Sequence, residues 1–228
     1  MSDSHVSQLI EKQMRNWELA RAQKLEDLPE EARPEVQDFV CVSRMVGVDG
    51  RAVAAELGKK LGWPVFDREL LDEMAGDSFN RKAIYSSMDE RDLTWSEEIM
   101  RGFFETTFVK NDYFQRLCET VLLLARKGHT VFLGRGVDLV LPRRLGTRVR
   151  LTAPWKVRVA SLAAQRGVDE AAAQAEIARV EEERTRFFER HFRVATEDPA
   201  RYDLTLNMQS FTAAQAAELI LKARELRA

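Results

Sequence analysis

Short apolar runs alternate with helical spacings of apolar residues along most of this chain. Five of the runs predict buried β-strands, and apolar positions three or four residues apart predict the helices between them. Strands that alternate with helices in this way predict an α/β fold, a parallel five-stranded sheet with right-handed crossovers and helices on both faces. The expected strands are residues 39–43, 63–67, 130–133, 147–151 and 202–206.

A glycine-bracketed turn joins the first predicted strand to the first predicted helix. It runs from Gly47 to Gly50, and the helix that follows has Val53, Leu57 and Leu61 on one face. Backbone N–H groups at a helix N-terminus attract anions, and a strand, a glycine turn and a helix together commonly hold phosphate. The sequence therefore predicts a candidate phosphate-binding turn.

The turn departs from the standard phosphate-binding signature, G-x-x-x-x-G-K-[ST]. Met45 occupies the first glycine position of that pattern, Arg51 the lysine position and Ala52 the hydroxyl position. From these residues alone three interpretations stay open. The turn is a working variant of the phosphate-binding loop, it is a relic of such a loop, or its similarity to the signature is a coincidence.

Two segments lie outside the alternation of strands and helices. Residues 1–35 contain an amphipathic helix, whose apolar face ends at Trp17, and a charged linker bracketed by Pro29 and Pro34. This helix packs on the same domain or pairs with a second subunit, and the sequence favours neither. Residues 77–128 have helical patterns but no convincing strand, and an insertion of this length is typically a lid or a substrate-binding subdomain.

Capping residues locate several helix starts. Asp67, Asp169 and Thr212 are natural N-caps, and Pro154 stands where the first turn of a helix tolerates proline. The helix that Asp169 caps is the longest and is expected to end near Phe192.

The composition excludes several classes of protein. The chain has 228 residues, and its 35 lysines and arginines against 37 aspartates and glutamates give a net charge of −2. A balance so near zero gives no global signal for nucleic acid or a membrane surface. No stretch approaches the ~20 apolar residues of a membrane span, and the N-terminus lacks a signal-peptide core. The two cysteines show no metal or disulfide spacing, and we expect a cytoplasmic protein.

Polar residues collect where the predicted strands end. Ser43 and Arg44 follow the first strand, Asp67 ends the second, Arg135 follows the third and Asn207 follows the fifth. Ligands of open parallel sheets bind beyond the carboxyl ends of the strands. Each residue has an ordinary explanation, such as helix capping by Asp67, but their coincidence at one edge predicts a binding site.

The long helix carries a stripe of charged residues. They are Arg179, Glu183, Arg186, Arg190 and Arg193. Spacings of four, three, four and three residues place them on one face. One interpretation is a solvated face with ion pairs between turns, such as Glu182 with Arg186. The other is a clamp on phosphoryl oxygens, which the planar arginine fork binds bidentately, with Arg158 on the preceding helix joining the cluster.

Five short motifs, taken in order, give the chain a family resemblance. They are S-R-M-V-G-V-D-G-R-A-V-A from Ser43, F-D-R-E-L-L from Phe66, V-F-L-G-R-G from Val131, E-R-T-R from Glu183 and Y-D-L-T-L-N from Tyr202. Over roughly Val40 to Ile220 the chain resembles the cytidylate-kinase-like branch of the P-loop nucleoside monophosphate kinases. The resemblance implies a P-loop NTPase-type domain over residues 36–228, with residues 77–128 as an acceptor-binding insertion and residues 154–193 as a helical lid.

The resemblance also implies roles for individual residues. The donor nucleotide would be bound by Ser43, Arg44, Gly47, Gly50, Arg51, Ala52 and Asn207. The acceptor monophosphate and its sugar would be bound by Asp67, Arg135, Glu183 and Arg186. The catalytic arginines would be Arg51, Arg158 and Arg186. ATP and Mg²⁺ are the implied cofactors, nucleotides are the implied partners, and no protein ligand to a metal is expected.

Two residues of the glycine turn depart from the family pattern. Val48 and Asp49 replace a Ser-Gly pair. Val48 adds bulk where backbone approaches phosphate. Asp49 adds a carboxylate, and like charges ~4 Å apart repel by on the order of several kcal/mol at low effective dielectric.

Three functional hypotheses follow from these residues. The leading one is transfer of the γ-phosphoryl group of ATP to a pyrimidine nucleoside monophosphate such as CMP or dCMP. The second is a catalytically weakened nucleotide-binding regulatory module that partners, as a possible homo-oligomer, through its N-terminal helix. The third is a P-loop kinase for another small metabolite.

Overall fold

The structure is a computed structural model, and it describes residues 36–76, 100, 112–192, 194 and 198–227. The predicted N-terminal helix and linker lie outside the described residues, as does most of the predicted insertion before residue 112.

A five-stranded parallel sheet forms the centre of the molecule, as the sequence predicted. Its strands are β1 (Phe39–Arg44), β2 (Val65–Phe66), β3 (Thr130–Leu133), β4 (Thr147–Thr152) and β5 (Leu204–Asn207). The strand order is β2-β3-β1-β4-β5, and every pair is parallel. Because β1 is central, the turn that follows it lies in the middle of the carboxyl edge, where ligands of such sheets bind.

Seven α-helices lie within the described part of the chain. They are α1 (Gly50–Leu61), α2 (Arg68–Gly76), α3 (Asp112–Lys127), α4 (Val137–Val140), α5 (Trp155–Arg166), α6 (Glu170–Phe192) and α7 (Ala213–Arg227). Asp169 caps α6 by accepting from the Ala172 N–H at 2.7 Å, and Thr212 caps α7 by accepting from the Gln215 N–H at 3.3 Å. Both predicted caps are confirmed. None of these helices is long and apolar enough to span a membrane.

The side chains of β1 alternate between two cores. Phe39 and Cys41 enter the core that α2, α3 and α4 form on one face of the sheet. Val40 and Val42 enter the core that α1 and α7 form on the other face. A period of two along the strand therefore buries both faces, as expected for a parallel sheet.

The helical hairpin of α5 and α6 has a small core of its own. Val159 and Leu162 from α5 pack with Ala173 and Ile177 from α6. Val46, one residue before the glycine turn, completes this cluster. Apolar contact with Val46 therefore helps to hold the hairpin beside the turn.

The fifth strand begins two residues later than the sequence predicted. A 3₁₀ turn at Pro199–Arg201 precedes it. Asp203 then forms two hydrogen bonds with Arg148 of β4. The Asp203 N–H donates to the Arg148 carbonyl at 2.8 Å, and the Arg148 N–H donates to Asp203 Oδ2 at 2.8 Å. The Asp203 carboxylate thus accepts the hydrogen bond that a backbone carbonyl would accept in a regular strand pair. Regular pairing of β5 with β4 therefore starts at Leu204.

Candidate functional site

The glycine turn is sterically crowded at both of its glycines. Gly47 has φ +85°, in the left-handed region that glycine adopts without strain. A Cβ at position 47 would lie 2.5 Å from the Arg158 carbonyl oxygen, and one at position 50 would lie 2.3 Å from Arg44 Cδ. Backbone atoms of Arg158 therefore exclude a side chain at position 47, whereas a side chain at position 50 would require the Arg44 side chain to shift.

The side chain of Val48 points away from the mouth of the turn. It is buried in the core that α1 and α7 form with the sheet. The steric obstruction that the sequence suggested at this position is therefore removed by packing.

Asp49 occupies the N-terminus of α1. Its Oδ1 accepts a hydrogen bond from the Ala52 N–H at 3.1 Å, and the residue is the N-cap of the helix. The carboxylate thus takes one of the backbone donors that would otherwise face an anion, at the positive end of the helix dipole. Asp49 is exposed, so its side chain can leave this position without unpacking a core.

Arg51 and Asp67, predicted for the donor and the acceptor sites, lie in contact. Arg51 Nη2 is 3.2 Å from Asp67 Oδ2 and 2.7 Å from Glu69 Oε1. The hydrogen bond to Glu69 raises the pKa of Arg51. Asp67 also caps α2 by accepting from the N–H groups of Glu69 and Leu70, so the predicted cap is confirmed. The guanidinium at the lysine position is therefore held toward α2.

A cleft of about 540 Å³ opens between the carboxyl ends of β1, β3 and β4 and the inner face of α6. Its charged lining consists of Arg44, Arg68, Arg135, Arg150, Arg184, Glu181 and Glu183. Phe187 and Phe188 add an aromatic wall. We call this space the arginine cleft. Five guanidinium groups against two carboxylates suit an anion, and the aromatic wall suits a planar group.

Arg44 lies between the glycine turn and a second glycine-containing turn, residues 134–136. Its Cδ closes the space beside Gly50, and its Nη1 lies 3.3 Å from where a Cβ of Gly134 would be. Burial and the nearby Arg51 guanidinium lower the pKa of Arg44. One partly buried cation therefore borders both turns.

Arg184 of α6 is the most perturbed of the cleft's arginines. Burial, together with the positive charges of Arg44 and Arg150, lowers its pKa to about 10. Its Nη1 donates to the Arg44 carbonyl at 2.8 Å, and Arg150 Nη1 donates to Ser43 Oγ at 2.8 Å. Three guanidinium groups thus lie close together at one end of the cleft, an arrangement that favours binding of an anion.

Arg135 enters the cleft from a strained backbone. It has φ +57° and stands between Gly134 and Gly136, whose φ angles are also positive. Its Nη2 is ion-paired with Asp72, which also accepts from the Tyr113 hydroxyl at 2.5 Å. Burial and this hydrogen bond raise the pKa of Tyr113. Asp72 thus connects α2, α3 and the second turn.

The structure brings some of the predicted site residues together and separates others. Ser43, Arg44, Arg135 and Glu183 line the arginine cleft. Arg186 is not in its lining and pairs instead with Glu182 on the exposed face of α6, as the solvated-face interpretation expected.

Three further predicted residues lie around the cleft rather than in it. Asn207 is exposed at the end of β5, and its Oδ1 accepts from the Gln209 N–H at 3.1 Å. Arg158 is buried behind the glycine turn, where Nη1 donates to the Val46 carbonyl and to Glu181. Ala52 donates its N–H to Asp49.

Sequence reasoning missed Arg68, Arg150 and Arg184 as site residues. Arg184 stands seven residues after Ile177 and seven before His191, so it interrupts the buried stripe of α6. Arg150 alternates with Val149 and Leu151 along a central strand, so it lies on the opposite face of a sheet that is buried on both sides. A cation on a buried face is the signal that could have located both.

No group of three or more metal-ligating side chains is found within the described residues.

The sheet order and the glycine turn at the end of the central strand define a P-loop NTPase-type fold. Residues 39–210 match the cytidylate kinase-like family, and the chain belongs to that family. No curated protein matches the sequence.

Solved structures give a fold-level likeness. An uncharacterized protein from Eubacterium ventriosum superposes with a TM-score of 0.67 at 20% identity, over 83% of this chain and 99% of that chain. The shikimate kinase from Bacteroides thetaiotaomicron gives 0.41 at 13% identity, over 83% and 97%. The Mycobacterium tuberculosis APS kinase CysC, in complex with AMPPNP and APS, gives 0.43 at 16% identity, over 84% and 99%. The first likeness supports the fold.

Proposed function

We propose that this protein transfers the γ-phosphoryl group of ATP to a pyrimidine nucleoside monophosphate, with CMP or dCMP as the acceptor. The observation that carries the proposal is the position of Arg44, which borders both the glycine turn and the turn at Arg135. A cation there can neutralise phosphoryl oxygens of a donor on one turn and an acceptor on the other. Phosphoryl transfer depends mainly on such positioning and charge neutralisation.

The donor's phosphates belong on the glycine turn in this proposal. The tight packing around Gly47 and Gly50 fits a loop whose backbone faces a ligand. Arg51 directly follows Gly50, and in this proposal it exchanges its ion pairs with Asp67 and Glu69 for the phosphates. Mg²⁺ would bridge the phosphates of ATP and supply further charge neutralisation. Asp49 must release the Ala52 N–H before that donor can serve a phosphate.

The acceptor belongs in the arginine cleft. Its monophosphate matches the cationic end formed with Arg44, Arg150 and Arg184, and its base matches the wall of Phe187 and Phe188. In the same proposal residues 36–228 are the kinase domain, residues 77–128 its acceptor-binding insertion and residues 154–193 its lid. A cytoplasmic location, where MgATP and nucleoside monophosphates occur together, belongs to this proposal.

The direct test is a survey of acceptors. The purified full chain is mixed with MgATP and, separately, with CMP, dCMP, UMP, dTMP, AMP and GMP, and ADP formation is measured against an acceptor-free blank. CMP or dCMP should give the fastest turnover. ADP formation at the blank rate with every acceptor would end the proposal.

The position of Asp49 favours a second candidate, a nucleotide-binding regulatory module with weakened catalysis. An internal carboxylate on the helix N-terminus competes with phosphate, and such a module would partner through its N-terminal helix. Calorimetry with the non-hydrolysable analogue AMPPNP separates the candidates. Binding without turnover of ATP supports the module, whereas turnover supports the kinase.

Asp72→Asn is expected to raise the KM for the acceptor about tenfold while kcat and the KM for ATP change little. The carboxylate orients Arg135 and Tyr113, and losing hydrogen bonds to a charged group typically costs about 1.5–3 kcal/mol. Steady-state kinetics with each substrate varied gives the three constants.

Two variants control this measurement. Glu73→Gln, the adjacent residue on α2, should behave as the wild type, and Tyr113→Phe should show a smaller change because Arg135 keeps its ion pair. Parallel increases in both KM values for Asp72→Asn would contradict a role confined to the acceptor side.

A further inference from the structure

Trp155 is an exposed aromatic residue at the base of the helical hairpin. It begins α5 and is 42% exposed, and within the described residues the other exposed large hydrophobics are Val168, Leu219 and Leu226. A single exposed apolar residue is ordinary on a protein surface. Trp155 differs from the other three because a buried cation is stacked on it.

Arg158 connects Trp155 to the glycine turn. Its guanidinium carbon lies 5.0 Å from the centre of the Trp155 ring, and its Nη1 donates to the Val46 carbonyl at 3.2 Å. The Arg158 backbone also closes the space beside Gly47. The indole is therefore oriented by a side chain that contacts the turn itself.

The segment that carries Trp155 lies between two turns. The Met45 N–H, just before the glycine turn, donates to the Leu151 carbonyl at 3.0 Å. On the other side the Met208 N–H, just after Asn207, donates to the Thr152 carbonyl at 2.7 Å. Trp155 comes three residues after Thr152, so it lies on the part of the chain between the glycine turn and the turn after β5.

We propose that Trp155 is the stacking surface for the base of the donor nucleotide. This inference rests on the proposed function only in placing the donor's phosphates on the glycine turn. An aromatic ring stacks on any nucleobase, because every base has a π-face. Arg158 contacts the same ring, and this cation–π pair holds the indole in place before the base arrives. The ligand class is therefore a nucleoside triphosphate whose base lies on the indole.

The experiment compares a nucleotide with its phosphate chain alone. AMPPNP and inorganic tripolyphosphate, each with Mg²⁺, are titrated by calorimetry into the full chain and into Trp155→Ala, Trp155→Phe and Leu226→Ala. We expect Trp155→Ala to weaken AMPPNP about tenfold and to leave tripolyphosphate unchanged. Trp155→Phe should stay within about threefold of the wild type, because a smaller aromatic ring still stacks. Leu226→Ala should change neither affinity.

Tryptophan fluorescence provides an independent readout. AMPPNP should quench emission of the wild type, tripolyphosphate should not, and the quenching should shrink in Trp155→Phe. Unchanged AMPPNP affinity in Trp155→Ala, or an equal loss for both ligands, would overturn the inference. Binding of AMPPNP needs no turnover. If the protein binds AMPPNP in a Trp155-dependent way but shows no turnover, the kinase proposal fails and the stacking inference stands. Turnover with normal AMPPNP binding by Trp155→Ala would end this inference alone.

Discussion

Arg184→Gln is expected to lower kcat for phosphoryl transfer about 100- to 1,000-fold, the usual effect of removing one oriented donor from a transition state. Arg184 lies on the inner face of α6 and lines the arginine cleft beside Arg44 and Arg150. The transferred group carries its charge on three equatorial oxygens, and a planar guanidinium can bind two of them. Arg184→Lys keeps the charge but loses the fork, so an intermediate loss is expected.

The same substitution should not lower thermal stability. Burial and two neighbouring cations lower the pKa of Arg184, so the charged form is disfavoured in the folded protein relative to the unfolded chain. Below a pH of about 10, where the residue is charged in both states, this shift opposes folding. Removing the guanidinium relieves that opposition at neutral pH. A thermal melt of Arg184→Gln should therefore match or exceed the wild type.

A matched control lies on the same helix. Arg190→Gln removes an exposed arginine and should leave kcat unchanged. Arg186→Gln decides between the family resemblance, which implies Arg186, and the structure, in which Arg184 lines the cleft. A larger loss of kcat for Arg186→Gln than for Arg184→Gln would refute the role we give Arg184.

Asp49→Gly is expected to tighten binding of MgAMPPNP on the order of 30-fold by removing a like charge beside the phosphates. It also frees the Ala52 N–H, which Asp49 now accepts from, so that another backbone donor can face the ligand. Glycine at an N-cap lowers stability only slightly, so α1 should remain intact. Calorimetric titration of each variant measures the change directly.

Asp49→Asn separates the two causes. Asparagine caps a helix about as well as aspartate and so keeps the Ala52 N–H engaged, but it carries no charge. If charge repulsion dominates, both variants bind more tightly. If occupation of the N–H dominates, only Asp49→Gly does.

Weaker binding by Asp49→Gly would contradict the idea that the carboxylate opposes phosphate. Turnover provides a second test, because the kinase and regulatory hypotheses differ at this residue. An increase in kcat would show that Asp49 restrains a working enzyme. Tighter binding with no gain in turnover would support the regulatory module.

The strands and caps were predictable from local chemistry. Apolar runs such as Val131–Leu133 need a buried strand, and Asp67 and Asp169 supply the acceptor that a helix start requires. The start of β5 was not predictable, because the side chain of Asp203 replaces a ladder acceptor only where Arg148 lies opposite. That contact joins residues far apart in sequence.

The candidate site was predictable in part. The order of the strand ends placed Ser43, Arg44 and Arg135 at one edge, and the structure finds all three in one cleft. The role of Val48 could not be derived, because whether its side chain meets the ligand or the core depends on the orientation of α1.

The sequence by itself determined the parallel sheet, the glycine turn and the edge at which they meet, because these depend on periodicity and on residues close in the chain. Only the tertiary structure decided which arginines face the ligand. Arg184 and Arg186 are two residues apart on one helix, but Arg184 donates to the Arg44 carbonyl beside the cleft, whereas Arg186 pairs with Glu182 on the exposed face. Similarly, only the fold shows that Asp49 caps α1 and that Arg158 links Trp155 to the turn.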